Sequence, residues 1–349
     1  MTTVVPTPQV QSAPVTPERI FQFGWAYAVP LVLEAAIHHR VFDMLDTGPM
    51  TLDELTRATG ASRRGLAAIV NMLVGFEFLQ KDPGGKFSLT AESAAFLVST
   101  KPSFQGGILR HTSSQLLPNW MQLNKVVATG RPTMAVNQEK AGGEFFRDFV
   151  NDLFPMNYPI ARQLAEHLDL GAAAEPVSVL DLAAGSGVWS VALAQSGRNV
   201  RVTAVDWPEV IPITRSSVVR LGLAEQYSFS EGDLLEADFG SGHNVATLGH
   251  ILHSEGAGRS KALLKKTFDA LAPGATIAIA EFLVNADRTG PMNGLIFAVN
   301  MLVNTDEGDT YSFEEIAEWL LEAGFTHARR LEVRAPSPLI LATKPKAAS

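Results

Sequence analysis

The stretch "VSVLDLAAGSGVWSVALAQ", residues 177–195, decides how this chain is read. An apolar run reaches Asp181, two glycines follow at Gly185 and Gly187, and a helical pattern then begins. An apolar run that ends in glycines reads as a buried strand turning into a helix. Glycine permits positive φ and close backbone approach, and the first turn of a helix carries free N–H groups. Two uses fit this turn: tight strand-to-helix packing, or a backbone opened to a nucleotide-like ligand.

The 349 residues suggest roughly two domains of about 150 residues. With 46% hydrophobic and 18% charged residues, the composition is that of a soluble globular protein. A net charge of −8 argues against nucleic acid or an anionic membrane as the main partner. The chain has no cysteine, which removes disulfides, thiolate nucleophiles and cysteine-ligated zinc and fits a cytoplasmic protein. Residues 1–17 carry prolines and no Lys or Arg, so they are predicted to be a disordered lead rather than a secretory signal. No uncharged apolar stretch approaches the roughly 20 residues of a membrane span; the nearest, residues 20–33, holds Pro30.

Residues 18–45 read as one or two amphipathic helices. Thr51 with Glu54 has the spacing of a capping box, Gly60 ends that helix, and Ser62 caps a second one running to Phe78. The segment "FLQKDPGGKFSL" then reads as a hairpin around Asp82–Gly85, completing a winged helix. The second helix offers Leu66, Ile69, Val70, Met72, Leu73, Val74 and Phe76 beyond Arg63 and Arg64. A helix so widely apolar is buried rather than laid in a groove, and Lys81 and Lys86 are a thin supply of cations for phosphate. We therefore expect residues 18–112 to form a dimerisation domain, with a ligand-sensing DNA-binding regulator as the alternative. Residues 113–170 read as a helical linker, whose aromatic and methionine side chains suit either core or a pocket for a flat ligand.

From residue 171 onward the chain alternates strand and helix. Strands are predicted at 177–182, 200–205, 227–231, 245–250, 275–283, 328–334 and 338–343, and helices at 188–196, 208–222, 258–271 and 312–324. Such alternation gives a mostly parallel α/β sheet whose ligands sit beyond the strands' carboxyl ends. Asp206, in "VTAVDWP", is placed to accept hydrogen bonds from ribose hydroxyls, and Asp233, in "SEGDLL", from an adenine amine. A carboxylate at Asp181 would repel a diphosphate but suits a cationic ligand, which favours S-adenosylmethionine over NAD.

With these motifs in place, the chain resembles the S-adenosylmethionine-dependent small-molecule O-methyltransferases, the family of plant caffeate and isoflavone enzymes and of bacterial secondary-metabolite enzymes. "VLDLAAGSG" is similar to the family's V-D-V-G-G-G-x-G, "VDWPEV" to its V-D-L-P-x-V and "EGDLL" to its G-G-D-M-F, in the same order over about residues 18–345. The resemblance implies a class I methyltransferase Rossmann-like sheet, mostly parallel with an antiparallel C-terminal strand, behind an α-helical winged-helix dimerisation domain. It implies a homodimer that transfers a methyl group to a hydroxyl of a small aromatic or enolic metabolite and releases S-adenosylhomocysteine. Cofactor contacts are expected at Asp181, Gly185, Gly187, Asp206, Trp207, Asp233, Leu234, Gly249 and His250. The family's catalytic histidine aligns with His253 in "GHILHSEG", followed by Ser254 and Glu255 where the family has Asp and Trp. One of the two glutamates that flank it in plant relatives matches Glu281; the other falls at Thr310, leaving Asp309 as the nearest substitute. Imidazole suits the task, because a phenol of pKa about 10 is a poor nucleophile until its proton is taken. Trp120, Phe146, Phe154, Met156, Tyr158, Phe297, Asn300, Met301 and Asn304 are expected to line the acceptor pocket. His250 and His253 suggest a metal pair by spacing, but with no third ligand evident none is expected. Decarboxylase, hydroxylase or pericyclase chemistry on the same scaffold stays open.

Overall fold

The computed structural model describes residues 15–133, 135 and 139–346, without the side chains of 139–145 and 147–148. Most of the lead predicted at 1–17 lies outside the described residues. The chain divides into two compact units, one ending at Ala94 and the other beginning at Ala95. The boundary thus falls earlier than the predicted 112, and residues 113–170 share a unit with the sheet that follows them.

In the first unit the local sequence signals act as their chemistry requires. Thr51 accepts from the Glu54 N–H while the Glu54 carboxylate accepts from the Thr51 N–H at 2.7 Å, closing a capping box on helix Leu52–Thr59. Ser62 caps Arg63–Gly75, which buries Leu66, Val70 and Leu73 along one face. Strands β1 (Leu79–Lys81) and β2 (Phe87–Leu89) form the wing. Ahead of them, helices Glu18–Gly24 and Ala28–His38 leave Ile20, Phe21, Phe23 and Trp25 between 65% and 73% exposed. Their combined span, Glu18–His38, is long and apolar enough to cross a membrane by length and composition alone. The span contains Glu18, Arg19 and Glu34, so it is not an uncharged stretch of the kind sought in the sequence.

The second unit is built on a seven-stranded sheet. Its strands are β3 (Val177–Leu182), β4 (Val200–Asp206), β5 (Tyr227–Glu231), β6 (His243–Gly249), β7 (Leu271–Ala280), β8 (Thr326–Leu331) and β9 (Leu339–Thr343). Their order is β5-β4-β3-β6-β7-β9-β8. The first five are parallel, and β9 runs antiparallel to both β7 and β8. β3 is buried along nearly its whole length, as a strand covered on both faces must be. Alternate residues divide between two cores: Leu180, Leu182, Ala246 and Ile277 enter one, while Val177, Val179, Val245 and Ala278 enter the other.

Asp181 lies at the centre of this sheet and is 1% exposed. Its carboxylate accepts from Ser190 Oγ at 2.5 Å and from Thr247 Oγ1 at 2.7 Å, and Tyr227 donates to the same Ser190 hydroxyl at 3.0 Å. Burial pushes the Asp181 carboxyl up to about 6, against the two hydroxyl hydrogen bonds. With both oxygens receiving hydroxyls inside the sheet, this acid ties β3 to β6 and to helix Val188–Ala194. Gly187, at φ 75°, caps that helix where a Cβ would stand 3.1 Å from Thr214 Cγ2. Tight packing at the turn, the first of the two uses raised by the sequence, is therefore present.

Candidate active site

The site residues follow the carboxyl ends of five neighbouring parallel strands: Gly185 and Gly187 after β3, Asp206 ending β4, Asp233 after β5, Gly249, His250 and His253 at and after β6, and Glu281 after β7. The chain order reverses between β3 and β6, which makes this edge the crevice of the sheet.

Asp206 is half-buried. Its Oδ2 accepts from the Gly185 N–H at 2.8 Å and its Oδ1 from the Trp207 N–H at 2.7 Å. Each carboxylate oxygen keeps a second acceptor site, so two hydroxyls of a ligand can still be received. Burial pushes Asp206 up to about 6, opposed by those two backbone N–H groups. Asp233 Oδ1 caps the Leu235 N–H, and its Oδ2 accepts from Arg259 Nη2 at 2.7 Å. Arg259 also pairs with Glu255 at 2.6 Å, so the residue standing in place of the family's tryptophan forms an ion pair. Leu234 is buried in the core rather than opened to a ligand.

His253 and Glu281 form a close buried pair at this edge. Glu281 Oε2 accepts from His253 Nδ1 at 2.7 Å, and Oε1 accepts from the His253 backbone N–H at 3.2 Å. Both residues are buried. Burial would raise the Glu281 carboxyl, but the charge and hydrogen bonds of His253, with His250, outweigh it and hold it below the usual carboxylate range. Engaging Nδ1 in this way leaves Nε2 as the free nitrogen. His253 sits on a short turn that breaks at Gly256, whose φ of 75° a side chain would disfavour and whose Cβ would stand 2.8 Å from Glu307. The His253 carbonyl accepts from the Asp309 N–H at 2.9 Å, which locks the turn from the other side.

The second carboxylate does not follow the sequence expectation. Asp309 turns its side chain outward, accepting from the Thr310 N–H at 2.7 Å and facing Arg288 at 3.4 Å, and is about half exposed. Thr310 is buried and donates to the Gly294 carbonyl at 3.3 Å. Glu281 therefore orients the imidazole without the help of Asp309.

Phe297 meets the His253 ring edge-on at 4.8 Å and stacks on Phe282 at 3.9 Å. Phe282 was missed in the sequence although it directly follows Glu281, where an aromatic after an orienting acid was a readable signal. Trp120 Nε1 donates to Asn300 Oδ1 at 2.9 Å, and Asn304 joins Asn300 and Asn119 in one amide network. Asn119 was also missed. Met301 is buried on the helix that carries Phe297, and Met156 lies half-buried on helix Glu139–Leu168. Phe146 approaches Trp207, with ring centres 6.4 Å apart. Phe154 and Tyr158 depart from expectation: they stack on each other at 5.3 Å against the core, and the Tyr158 hydroxyl donates to Gln195 at 2.6 Å.

A third potential metal donor, absent from the sequence argument, does exist in space. His250, His253 and Glu281 bring one donor atom each within 4.8 Å of one another. The Glu281 oxygens, however, already receive the N–H groups of His253 and Phe282. The cluster is organised as an oriented imidazole.

Comparison with known proteins agrees with this geometry. Residues 120–326 match the O-methyltransferase domain family and residues 21–99 the O-methyltransferase dimerisation domain. The 3-hydroxy-5-methyl-1-naphthoate 3-O-methyltransferase of Streptomyces sahachiroi is 27% identical, covering 87% of this chain and 88% of its own. The S-adenosyl-L-methionine-dependent methyl transferase PigF of a Serratia species is 25% identical, covering 89% and 91%. A solved structure of a candidate O-methyltransferase from Nostoc punctiforme superposes with a TM-score of 0.87 at 26% identity, covering 95% of this chain and all of that one. A crevice at the strand ends, an oriented histidine beside it and matches across most of the chain place this protein in the O-methyltransferase family, as an S-adenosylmethionine-dependent enzyme.

Proposed function

We propose that the protein transfers a methyl group from S-adenosylmethionine to a hydroxyl of a small aromatic metabolite, with His253 as general base. The observation that carries this reading is the buried His253–Glu281 pair at the edge that also holds Asp206. The cofactor fits the residues present: Asp206 keeps two acceptor sites for ribose hydroxyls, with Asp233 at the strand end on one side and the glycine turn at the strand end on the other. When bound, S-adenosylmethionine supplies a sulfonium-activated methyl group. His253 Nε2 takes the acceptor's hydroxyl proton as the oxygen becomes nucleophilic, and Glu281 stabilises the resulting imidazolium through Nδ1. Phe282 and Phe297 offer a flat apolar surface beside the His253 ring and help exclude water. Relatives named for naphthoate methylation support an aromatic acceptor.

The exposed apolar face of Ile20, Phe21, Phe23 and Trp25 supports a homodimer, since so large a patch on a soluble protein marks an interaction surface. It lies almost wholly within the residues that match the dimerisation domain. Sedimentation at micromolar concentration is expected to give a dimer. A Phe21→Glu, Phe23→Glu variant is expected to shift it toward monomer, and a monomeric wild type would contradict the proposal.

For the cofactor, calorimetry is expected to show S-adenosylmethionine binding and no comparable NAD binding. Asp206→Ala should weaken binding by about 1–3 kcal/mol, the scale of unmade hydrogen bonds to a charged group. Because Asp206 is pushed up to about 6, affinity should fall as the pH drops through that value and the carboxylate is lost. Affinity that stays flat from pH 5 to 8 would remove Asp206 from the contact.

For catalysis, labelled-methyl transfer to 2-naphthol is expected to fall about 10²–10⁴-fold in kcat in His253→Ala, with cofactor affinity nearly unchanged. Glu281→Gln should cost less, because it orients the imidazole without exchanging the proton. Full activity in His253→Ala would end this assignment.

A further inference from the structure

Helix Leu252–Ala270 begins with the His253 turn and breaks at Gly256. Beyond the break, Arg259 and Lys266 are seven residues apart and therefore project from the same helix face. Both reach the loop that follows β5. Lys266 Nζ donates to the Leu234 carbonyl at 3.0 Å and to the Ala237 carbonyl at 2.6 Å, and it lies 4.1 Å over the Phe239 ring. The lysine thus holds the backbone of that loop. Arg259 is engaged instead by two acids: its Nη2 donates to Asp233 Oδ2 at 2.7 Å and its Nε to Glu255 Oε2 at 2.6 Å. Glu255 is buried on the turn that carries His253.

This arrangement decides the direction of Asp233. Its Oδ1 accepts from the Leu235 N–H at 2.9 Å and its Oδ2 from Arg259, so each oxygen keeps one acceptor site for a ligand. The side chain stays 29% exposed, which leaves those sites open. Gly232, immediately before it, donates its N–H to the Asp206 carbonyl at 3.0 Å and so sets Asp233 beside Asp206 at the ligand edge. A guanidinium is a rigid planar fork, so fixing Nε on a buried carboxylate also fixes the direction of Nη2. Glu255 anchors the arginine, and the arginine aims the aspartate.

We propose that Arg259 is a positioning residue for cofactor recognition: anchored by Glu255, it holds the Asp233 carboxylate in the orientation that accepts the adenine amine. The selectivity of the site for an aminopurine over an oxopurine then depends on a residue that touches neither. The assignment rests on the methyl-transfer reading above, which supplies the cofactor.

The test compares two ligands by calorimetry on the full-length protein: S-adenosylhomocysteine and S-inosylhomocysteine, in which a carbonyl oxygen replaces the adenine amine. The wild type is expected to bind the adenine form about tenfold more tightly, a difference of one hydrogen bond to a charged group. Arg259→Ala should bring the ratio close to one, chiefly by weakening S-adenosylhomocysteine. Because that change leaves Glu255 buried without its cation, Arg259→Met combined with Glu255→Gln removes both charges of the pair and should lose the preference in the same way. Arg259→Lys, a point charge without the planar fork, should restore part of it. A preference that survives in the double variant overturns the proposal. So does equal weakening of both ligands in Arg259→Ala, the result of a merely structural role. No preference in the wild type overturns it too, while S-adenosylhomocysteine binding leaves the methyl-transfer reading standing. A wild type that binds neither ligand overturns both.

Discussion

The ligand edge of this protein depends on one contact, the carboxylate of Glu281 against the imidazole and backbone of His253. Glu281 begins where β7 ends, and His253 follows β6, its neighbour in the sheet. The sheet register therefore sets their separation before any side chain chooses a rotamer. Two hydrogen bonds from one carboxylate fix both the position of the His253 turn and the tautomer of its ring. Gly256 lets the turn break away from its helix, and the Asp309 N–H holds it from the far side. An imidazole held in this way keeps Nε2 clear of the contact, and a bare ring nitrogen is what a general base requires.

Asp181 plays the matching part inside the sheet. A buried carboxyl in a central strand is costly unless its hydrogen bonds are made, and here Ser190 and Thr247 make them. The pair adds side-chain hydrogen bonds among β3, β6 and helix Val188–Ala194. It also fixes helix Val188–Ala194, whose Trp189 packs so closely on Gly249 that a Cβ there would stand 1.9 Å from the indole nitrogen. The interior acid thus anchors the backbone from which His250 and His253 project.

Much of this was legible in the sequence because it depends on local rules. The capping box at Thr51, the wing around Asp82–Gly85 and all seven strands of the second unit follow from spacing and apolar runs. Glu281 and His253 were readable as partners through the resemblance, which aligns them with the family's histidine and one of its flanking glutamates. What the sequence hid depends on side-chain direction. Nothing in "VLDLAAGSG" tells whether Asp181 faces ligand or core, and the two-residue period that sends it inward emerges only with the pairing of β3 and β6. Asp309 and Thr310 are neighbours in sequence, yet Arg288 draws the acid outward. Tyr158 and Phe154 read equally well as pocket or core until helix Glu139–Leu168 is packed on Val188–Ala194, where Gln195 receives the tyrosine hydroxyl.

The central claim is that Glu281 holds His253 with Nδ1 protonated and Nε2 bare toward the acceptor. Nitrogen-15 chemical shifts of the His253 ring, recorded with S-adenosylhomocysteine bound and the imidazole neutral, read this directly. The account predicts a protonated Nδ1 and an unprotonated Nε2, with that preference lost in Glu281→Gln. A ring protonated at Nε2, or one averaging freely between tautomers in the wild type, would contradict it.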